Sequence, residues 1–244
     1  MPTRADVTRL ARGQRRIVDF AVDDLRRLFV GFDLSSPALV NEALLEVVPQ
    51  LVREYGDLAA TAAAEWYEEV RDAPGTFYAR LGREASEGAV AGAVRYAARH
   101  LYTDDPAGTL DVLRGAMQRH ILYSGRDTIS RSAWADPAYP RFARVPTGGR
   151  TCAFCEMVAS RGFVYASERH AGEFEKYHDD CNCQIVPSWD AERAHIEGYD
   201  PDAMYARYRA AWEAAGGPGA SGKQVAYEMR RMFPGTYTDG VYDD

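Results

Sequence analysis

The segment that decides the fold spans residues 150–187 and reads RTCAFCEMVASRGFVYASERHAGEFEKYHDDCNCQIVP. It contains all four cysteines of the chain. Cys152 and Cys155 form a C-x2-C pair, and an H-x2-C-x-C group follows from His178. Each half has the spacing of a metal knuckle, in which a short turn presents two soft ligands to one point. The segment therefore predicts a structural zinc site.

Tetrahedral zinc takes four ligands, and five side chains are candidates: Cys152, Cys155, His178, Cys181 and Cys183. The C-x2-C pair is the firmest, and the sequence leaves open which two of the other three complete the set. A flat strand would send the two cysteines of the C-x-C group to opposite faces, so both reach one metal only if that stretch begins as a turn. The histidine and the C-x-C spacing favour zinc over an iron–sulfur cluster. A disulfide framework fits less well, because such scaffolds are short and rich in cysteine.

The chain before this segment has the pattern of a helical bundle. Apolar residues recur at three- and four-residue steps over residues 3–32, and the same pattern with helix breakers between predicts helices over 37–73, 76–102 and 106–132. Glycines and alanines inside the third of these helices indicate close contact with a neighbouring helix.

Four regions are predicted from these patterns. Residues 1–132 form a helical body, and 133–149, with three prolines and two adjacent glycines, form an extended connector. Residues 150–190 form the zinc-knuckle module, with short strands at FVYAS and CQIVPSW, and residues 191–244 form a helical tail with a loose acidic C-terminus. The predicted fold class is mainly α: an N-terminal helical bundle, a small α+β zinc-stapled module and a short helical tail.

Composition restricts the function. A formal net charge of −7 and a pI near 5.3 argue against a protein that coats nucleic acid through its overall field. No apolar run is long enough to cross a bilayer, and the basic N-terminus is not followed by the apolar stretch of a secretory signal. We therefore expect a soluble protein that is made and used without Sec export and has no membrane partner.

Catalysis is not expected from the sequence. Glu156 and Glu173 are the candidate general bases near the knuckles, but no HExxH, GxSxG, deaminase or glycine-rich phosphate signature is present. We therefore predict no catalytic residues and no cofactor other than structural zinc.

The cysteine segment resembles the C-terminal motif of the Mu F-like (MuF) head morphogenesis proteins of tailed phages, in particular those of phages that infect actinobacteria. The matching features are an RVP lead-in at residues 144–146, the TCxFC knuckle at 151–155, an SRG turn at 160–162 followed by Tyr165, and H-x2-C-x-C at 178–183. The likeness in detail covers this region alone, while the helical body agrees only in general character.

The resemblance implies a minor virion protein, located in the capsid interior or at the portal vertex, that associates with the portal protein or the major capsid protein. It also admits contact with phage DNA. One departure is the pair Asp179–Asp180, since the family pattern has proline or another uncharged residue after the histidine. Two negative charges at this place speak against DNA contact through this loop.

Two other functions remain as alternatives. The first is a DNA-binding zinc module that acts during packaging or ejection, supported by an arginine-rich first helix and by five arginines around the knuckle: Arg141, Arg144, Arg150, Arg161 and Arg169. The second, which is less favoured, is a metal-dependent hydrolase that uses Glu156 or Glu173.

Overall fold

A computed structural model of the protein describes residues 1–166 and 179–239. Its helices are α1 (Arg4–Val30), α2 (Pro37–Val70), α3 (Glu87–Ala97), α4 (Gly108–Ala135), α5 (Ala153–Ala159), α6 (Pro201–Ala214) and α7 (Gly222–Met232), with a 3-10 turn at Ala98–Tyr102. Its strands are β1 (Arg141–Pro146) and β2 (Cys183–Ser188). The predicted mainly α class is confirmed.

Helix boundaries in the bundle follow local signals. The Thr3 hydroxyl accepts a hydrogen bond from the Asp6 main-chain N–H, and the Asp6 carboxylate accepts one from the Thr3 N–H, so α1 begins with a capping box. Pro37 occupies the first position of α2, where its missing N–H costs nothing. The predicted helices over 3–32 and 37–73 are therefore confirmed to within a few residues.

Two apolar clusters hold the body together. One lies among α1 to α4 and includes Leu25, Leu44 and Met117, all almost fully buried. The other joins α1, α2 and α4 to both strands and to α5, through residues such as Ile129 and Ile185. The cysteine-bearing segment thus packs directly on the helical bundle. The division into four regions stays a prediction.

The sheet is built from two segments far apart in the chain. Strand β1 pairs antiparallel with β2, and Pro146 lies opposite Cys183. The strand predicted at CQIVPSW is confirmed. The segment 133–149, predicted as an extended connector, contains the end of α4 and the whole of β1. At FVYAS the described residues contribute only an isolated antiparallel bridge from Tyr165 to Phe142. Phe163, Val164 and Ala166 are in no strand, so the strand predicted here is wrong apart from this bridge, and only Ser167 lies outside the described residues.

The third predicted helix is wrong over its first half, because residues 76–86 are extended and lie along α4. The Gly82 N–H donates to Thr128 Oγ1 at 2.8 Å, and the Arg83 N–H donates to Asp127 Oδ2 at 2.6 Å. Side-chain acceptors on α4 thus replace the carbonyl acceptors that a helix would have supplied. The strap, as we call residues 76–86, is fixed by these contacts across the fold.

Gly82 is the point of closest approach between the strap and α4. A Cβ at this position would lie 2.4 Å from the Ser124 carbonyl oxygen and 2.6 Å from the Thr128 nitrogen, both main-chain atoms of α4. We therefore expect Gly82→Ala to lower the free energy of unfolding by about 1–3 kcal/mol, as overpacking does. Urea denaturation at neutral pH measures the change.

Gly92 supplies a matched control with the opposite sign. It lies exposed within α3, and a Cβ there would meet nothing within 4 Å. The close helix contact predicted at this glycine is therefore wrong. Gly92→Ala is expected to stabilise the protein by about 0.5–1 kcal/mol through helix propensity. Equal effects of the two substitutions would contradict the close approach at Gly82.

The tail helices α6 and α7 pack against α5 rather than against the bundle. Ala211 and Met229 are buried together with Ala153 of α5 and with Tyr237, which follows α7. The short knuckle helix is therefore covered on one side by the tail.

Among the described residues, no helix combines the length and the apolar character that crossing a bilayer requires.

Candidate metal centre

The first knuckle is formed by the start of α5. Cys152 is the N-cap of this helix, and its Sγ accepts a hydrogen bond from the Cys155 main-chain N–H at 3.1 Å. The sulfur therefore takes the place that a serine or aspartate oxygen commonly fills at a helix start. This geometry explains why a C-x2-C pair presents both sulfurs on the same side of one helical turn.

The second knuckle is a turn that leads into β2. Asp180 has a φ of 59°, the left-handed region used in tight turns, and β2 begins only at Cys183. Cys181 therefore precedes the strand, and strict strand alternation does not separate the two side chains. Both sulfurs of the C-x-C group point toward α5.

Three thiols converge at this point. The Sγ atoms of Cys155, Cys181 and Cys183 lie within 4.8 Å of one another, and the first two are 3.5 Å apart. The fourth thiol, of Cys152, belongs to the same buried cluster. None of the four cysteines exceeds 4% exposure, and none is bridged to another. The disulfide alternative thus has no support in the described part of the chain, which contains every cysteine.

The donor set fits a soft divalent metal. Tetrahedral zinc with Zn–S bonds of about 2.3 Å requires sulfurs about 3.8 Å apart, close to the 3.5 Å between Cys155 and Cys181. Only small movements of the side chains would be needed to receive an ion at the centre of the cluster. His178, the fifth candidate ligand, lies outside the described residues, so its part in the site stays a prediction.

Two buried arginines surround the thiols, and the sequence analysis did not assign either of them to the site. Arg144 of β1 donates to Cys181 Sγ at 3.3 Å and to Cys155 Sγ at 3.7 Å. Arg126 of α4 donates to the main-chain oxygens of Cys181 at 2.9 Å and Cys183 at 3.1 Å. Both arginines are 1% exposed. Arg144 therefore does not belong to a surface patch for DNA, contrary to its use in support of that alternative.

The electrostatics favour negative charge on sulfur. Hydrogen bonds from the thiols of Cys155 and Cys183 lower the pKa of Cys181, and the guanidinium groups of Arg126 and Arg144 add to the effect. The same contacts raise the pKa of Cys183, because its sulfur donates rather than accepts. A metal ion would replace these shared protons and hold all the sulfurs as thiolates. Buried cations beside such a site offset part of its negative charge.

Glu156, one of the two candidate general bases, has a structural position. Its side chain is buried and accepts hydrogen bonds from Arg207 Nε at 2.7 Å and from the Tyr237 hydroxyl at 2.9 Å. These contacts tie the knuckle helix to α6 and to the end of the described chain. Glu173, the other candidate base, lies outside the described residues. Nearby, Asp179 forms an ion pair with Arg119 of α4 at 3.0 Å.

The profile of the VG15 protein family matches residues 1–211, which include the bundle, both knuckles and most of α6. The chain belongs to the VG15 family. Two curated relatives are similar over part of this region. The Gene 15 protein of Mycobacterium phage L5 is 29% identical over 128 residues, and the Gene 15 protein of Mycobacterium phage D29 is 30% identical over 121 residues.

Each of these alignments covers 36% of this chain and 44% of the phage protein, so the VG15 chain matches less than half the length of these curated relatives. No solved structure matches the chain. The resemblance to phage proteins that the cysteine segment indicated is therefore confirmed at the level of a phage protein family.

Proposed function

We propose that this VG15 protein is a minor head protein of a tailed phage, of the Mu F-like kind, that docks on the portal or the major capsid protein and is stapled by a structural zinc ion. The observation that carries the proposal is the convergence of Cys155, Cys181 and Cys183 in the core, at the residues on which the MuF resemblance rests. The membership of a phage family supports the same assignment.

A structural role suits the burial of the cluster. Catalytic zinc keeps one position open for water or substrate, whereas structural zinc has a closed set of four protein ligands. Here the four cysteines are at most 4% exposed. Cys152 packs in the same buried cluster, but its sulfur is not among the three that lie within 4.8 Å of one another. We therefore propose no enzymatic activity for this site, and a closed site in which Cys152, or alternatively His178, is the fourth ligand.

The contacts around the cysteines show which segments of the chain a zinc ion would connect. The sulfurs come from α5 and from the start of β2, Arg144 reaches them from β1, and Arg126 links the second knuckle to α4. A zinc ion would hold the knuckles together through bonds stronger than the thiol contacts, and α5 would in turn fix the tail helices packed on it. The result is a rigid platform suited to docking.

The DNA-binding alternative has less support. In the arginine-rich α1, Arg9, Arg26 and Arg27 form ion pairs with acidic residues of the protein, which reduces the charge available to phosphates. Arg144 is buried. The excess of acidic residues in the whole chain also disfavours DNA binding.

Quantitative mass spectrometry of purified particles of the source phage tests the virion assignment. We expect the chain to be present at a few to some tens of copies per particle, in a constant ratio to the portal protein and far below the major capsid protein. Measuring empty and DNA-filled particles side by side controls for contamination and shows whether the protein leaves with the DNA. Absence from both kinds of particle would overturn the proposal.

A further inference from the structure

The side chain of Arg144 contacts the sulfurs of both knuckles. Its Nη2 donates to Cys181 Sγ, in the second knuckle, at 3.3 Å and to Cys155 Sγ, in the first, at 3.7 Å. These two sulfurs are themselves 3.5 Å apart, although their residues are 26 positions apart in the chain. A single nitrogen of β1 therefore lies against two candidate ligand atoms that come from different segments.

The guanidinium group of Arg144 is held in place by its surroundings. Strand pairing places Arg144 opposite Ile185 of β2, and the residue is 1% exposed. Its Cζ lies 5.9 Å from the centroid of the Phe154 ring, a distance at which a cation and an aromatic face attract each other. Phe154 directly precedes Cys155 in α5. The planar group thus keeps its N–H donor directed at the sulfurs.

Such a donor changes what a sulfur offers to a metal ion. A thiolate that binds one ion keeps lone pairs that accept hydrogen bonds, and a charged donor withdraws electron density from them. Hydrogen bonds to metal-bound sulfurs are among the factors that set the reduction potentials of iron–sulfur clusters. Thiolates within 4.8 Å of one another also repel, and an adjacent positive charge offsets that repulsion.

We propose that Arg144 is the positioning residue of the metal site. It holds the sulfurs of Cys155 and Cys181 together for the ion and lowers the electron donation of both sulfurs to it. Arg126 has a different part, because it donates to the main-chain oxygens of Cys181 and Cys183 and so fixes the path of the second knuckle. The inference rests on the structural zinc of the proposed function.

The absorption spectrum of the cobalt-loaded full-length chain tests this inference. The energy of thiolate-to-cobalt charge transfer reports how firmly the sulfurs hold their electrons. Arg144→Met keeps an unbranched side chain but removes the donor and the charge. We expect the charge-transfer band to move to longer wavelength in this variant, and zinc affinity, measured by competition with a chelator, to fall about 10–100-fold.

Arg126→Met is the matched control, since it removes a second buried arginine that binds the same knuckle through main-chain oxygens. We expect it to lower zinc affinity and to leave the charge-transfer band at the wild-type wavelength. Circular dichroism of both variants establishes that their helices are formed. An equal shift of the band in the two variants would overturn the role of Arg144, because the shift would then reflect a loosened site.

Arg144→Lys provides a test that does not require loss of the buried charge. The lysine ammonium ends one bond short of the position of Nη2, so its hydrogen bonds to the sulfurs are longer and weaker. We expect the band to shift in the same direction as in Arg144→Met, by a smaller amount. A band and a zinc affinity equal to those of the wild type in Arg144→Lys would refute the inference.

The outcomes separate this inference from the metal assignment. A wild-type chain that binds neither zinc nor cobalt would overturn both. One ion per wild-type chain, together with identical spectra and affinities for the wild type and the Arg144 variants, would overturn the role of Arg144 and leave the structural zinc intact. The expected result is one ion per chain with a band shift confined to the Arg144 variants.

Discussion

Replacing Asp136 by alanine is expected to lower the free energy of unfolding by about 3–5 kcal/mol, the range for breaking a buried ion pair from one side. The Asp136 carboxylate is fully buried and accepts two hydrogen bonds from Arg71, at 2.8 and 2.9 Å. It also accepts hydrogen bonds from the Tyr67 hydroxyl and the Trp189 ring N–H, each at 3.1 Å. Its removal leaves the guanidinium of Arg71, whose side chain is 5% exposed, without its charge partner.

An exposed ion pair gives the control for this prediction. Arg9 and Glu69 are 2.8 Å apart, but their side chains are 51% and 60% exposed. We expect Glu69→Ala to change the free energy of unfolding by less than about 1 kcal/mol, because solvent screens such pairs. Urea denaturation of both variants at pH 7 compares them directly. A cost for Asp136→Ala no larger than that of the control would show that the carboxylate does not anchor the fold.

The dependence on pH provides a second measurement. Burial alone would raise the pKa of Asp136, but the hydrogen bonds from Arg71 and three other donors outweigh it and lower the pKa. The stabilising contribution is therefore complete above about pH 4, the pKa in the unfolded chain, and is lost as the pH falls through the lower value of the folded state. The stabilities of the wild type and Asp136→Asn should converge in that acid range.

His120 makes the stability depend on pH in a different range. Burial, and to a smaller extent the charge of Arg119, lowers the pKa of His120 to about 4. The unfolded chain then takes up a proton that the folded protein excludes, and stability falls between about pH 6.5 and 4. Since this loss occurs in the wild type and in Asp136→Asn alike, the convergence below pH 4 remains specific to Asp136.

Local signals explain what could be predicted from the sequence. Apolar periodicity and capping residues located α1, α2 and α4 because helices are stabilised by contacts within a few residues. The knuckles were recognisable for the same reason, since the C-x2-C spacing fits a single helical turn. These features can be predicted without knowing which distant segments of the chain pack together.

The remaining features depend on contacts distant in the chain. The strap is extended because Asp127 and Thr128, more than forty positions later, supply acceptors for its N–H groups. Strand β1 forms because β2 pairs with it, and the proline-containing sequence alone suggested a connector. Arg144 was assigned to the surface because arginines are rarely buried. Arg144 is buried because it donates hydrogen bonds to the thiols packed against it.

Replacing Cys155 by serine is expected to abolish zinc binding by the purified protein, reducing the content from about one ion per chain to none. Cys155 is central to the cluster, with its sulfur 3.5 Å from that of Cys181. Loss of a thiolate ligand removes much of the zinc binding energy, which reaches about 10–16 kcal/mol in small zinc modules. Elemental analysis measures the content, and a zinc content equal to that of the wild type would refute the metal assignment.

Loss of zinc should loosen some parts of the fold and leave others unchanged. The second cluster of the core joins β1, β2 and α5 to the bundle, so loss of zinc is expected to loosen the knuckles, the sheet and the tail packed on α5. The cluster among α1 to α4 contains none of the cysteines and should keep those helices folded. Hydrogen exchange of Cys155→Ser, compared with the wild type, should show faster exchange in β2 and α5 and unchanged protection in α2.

The fourth ligand is decided by comparing two further variants, Cys152→Ser and His178→Ala. Cys152 caps α5 and belongs to the thiol cluster, so we expect its substitution to release zinc while His178→Ala retains it. Cobalt substitution then gives an independent readout, since thiolate-to-cobalt charge transfer grows with the number of sulfur ligands. Retention of zinc in Cys152→Ser together with its loss in His178→Ala would instead establish a site of three thiolates and one imidazole. In that case Cys152 would serve only to cap the helix that presents Cys155.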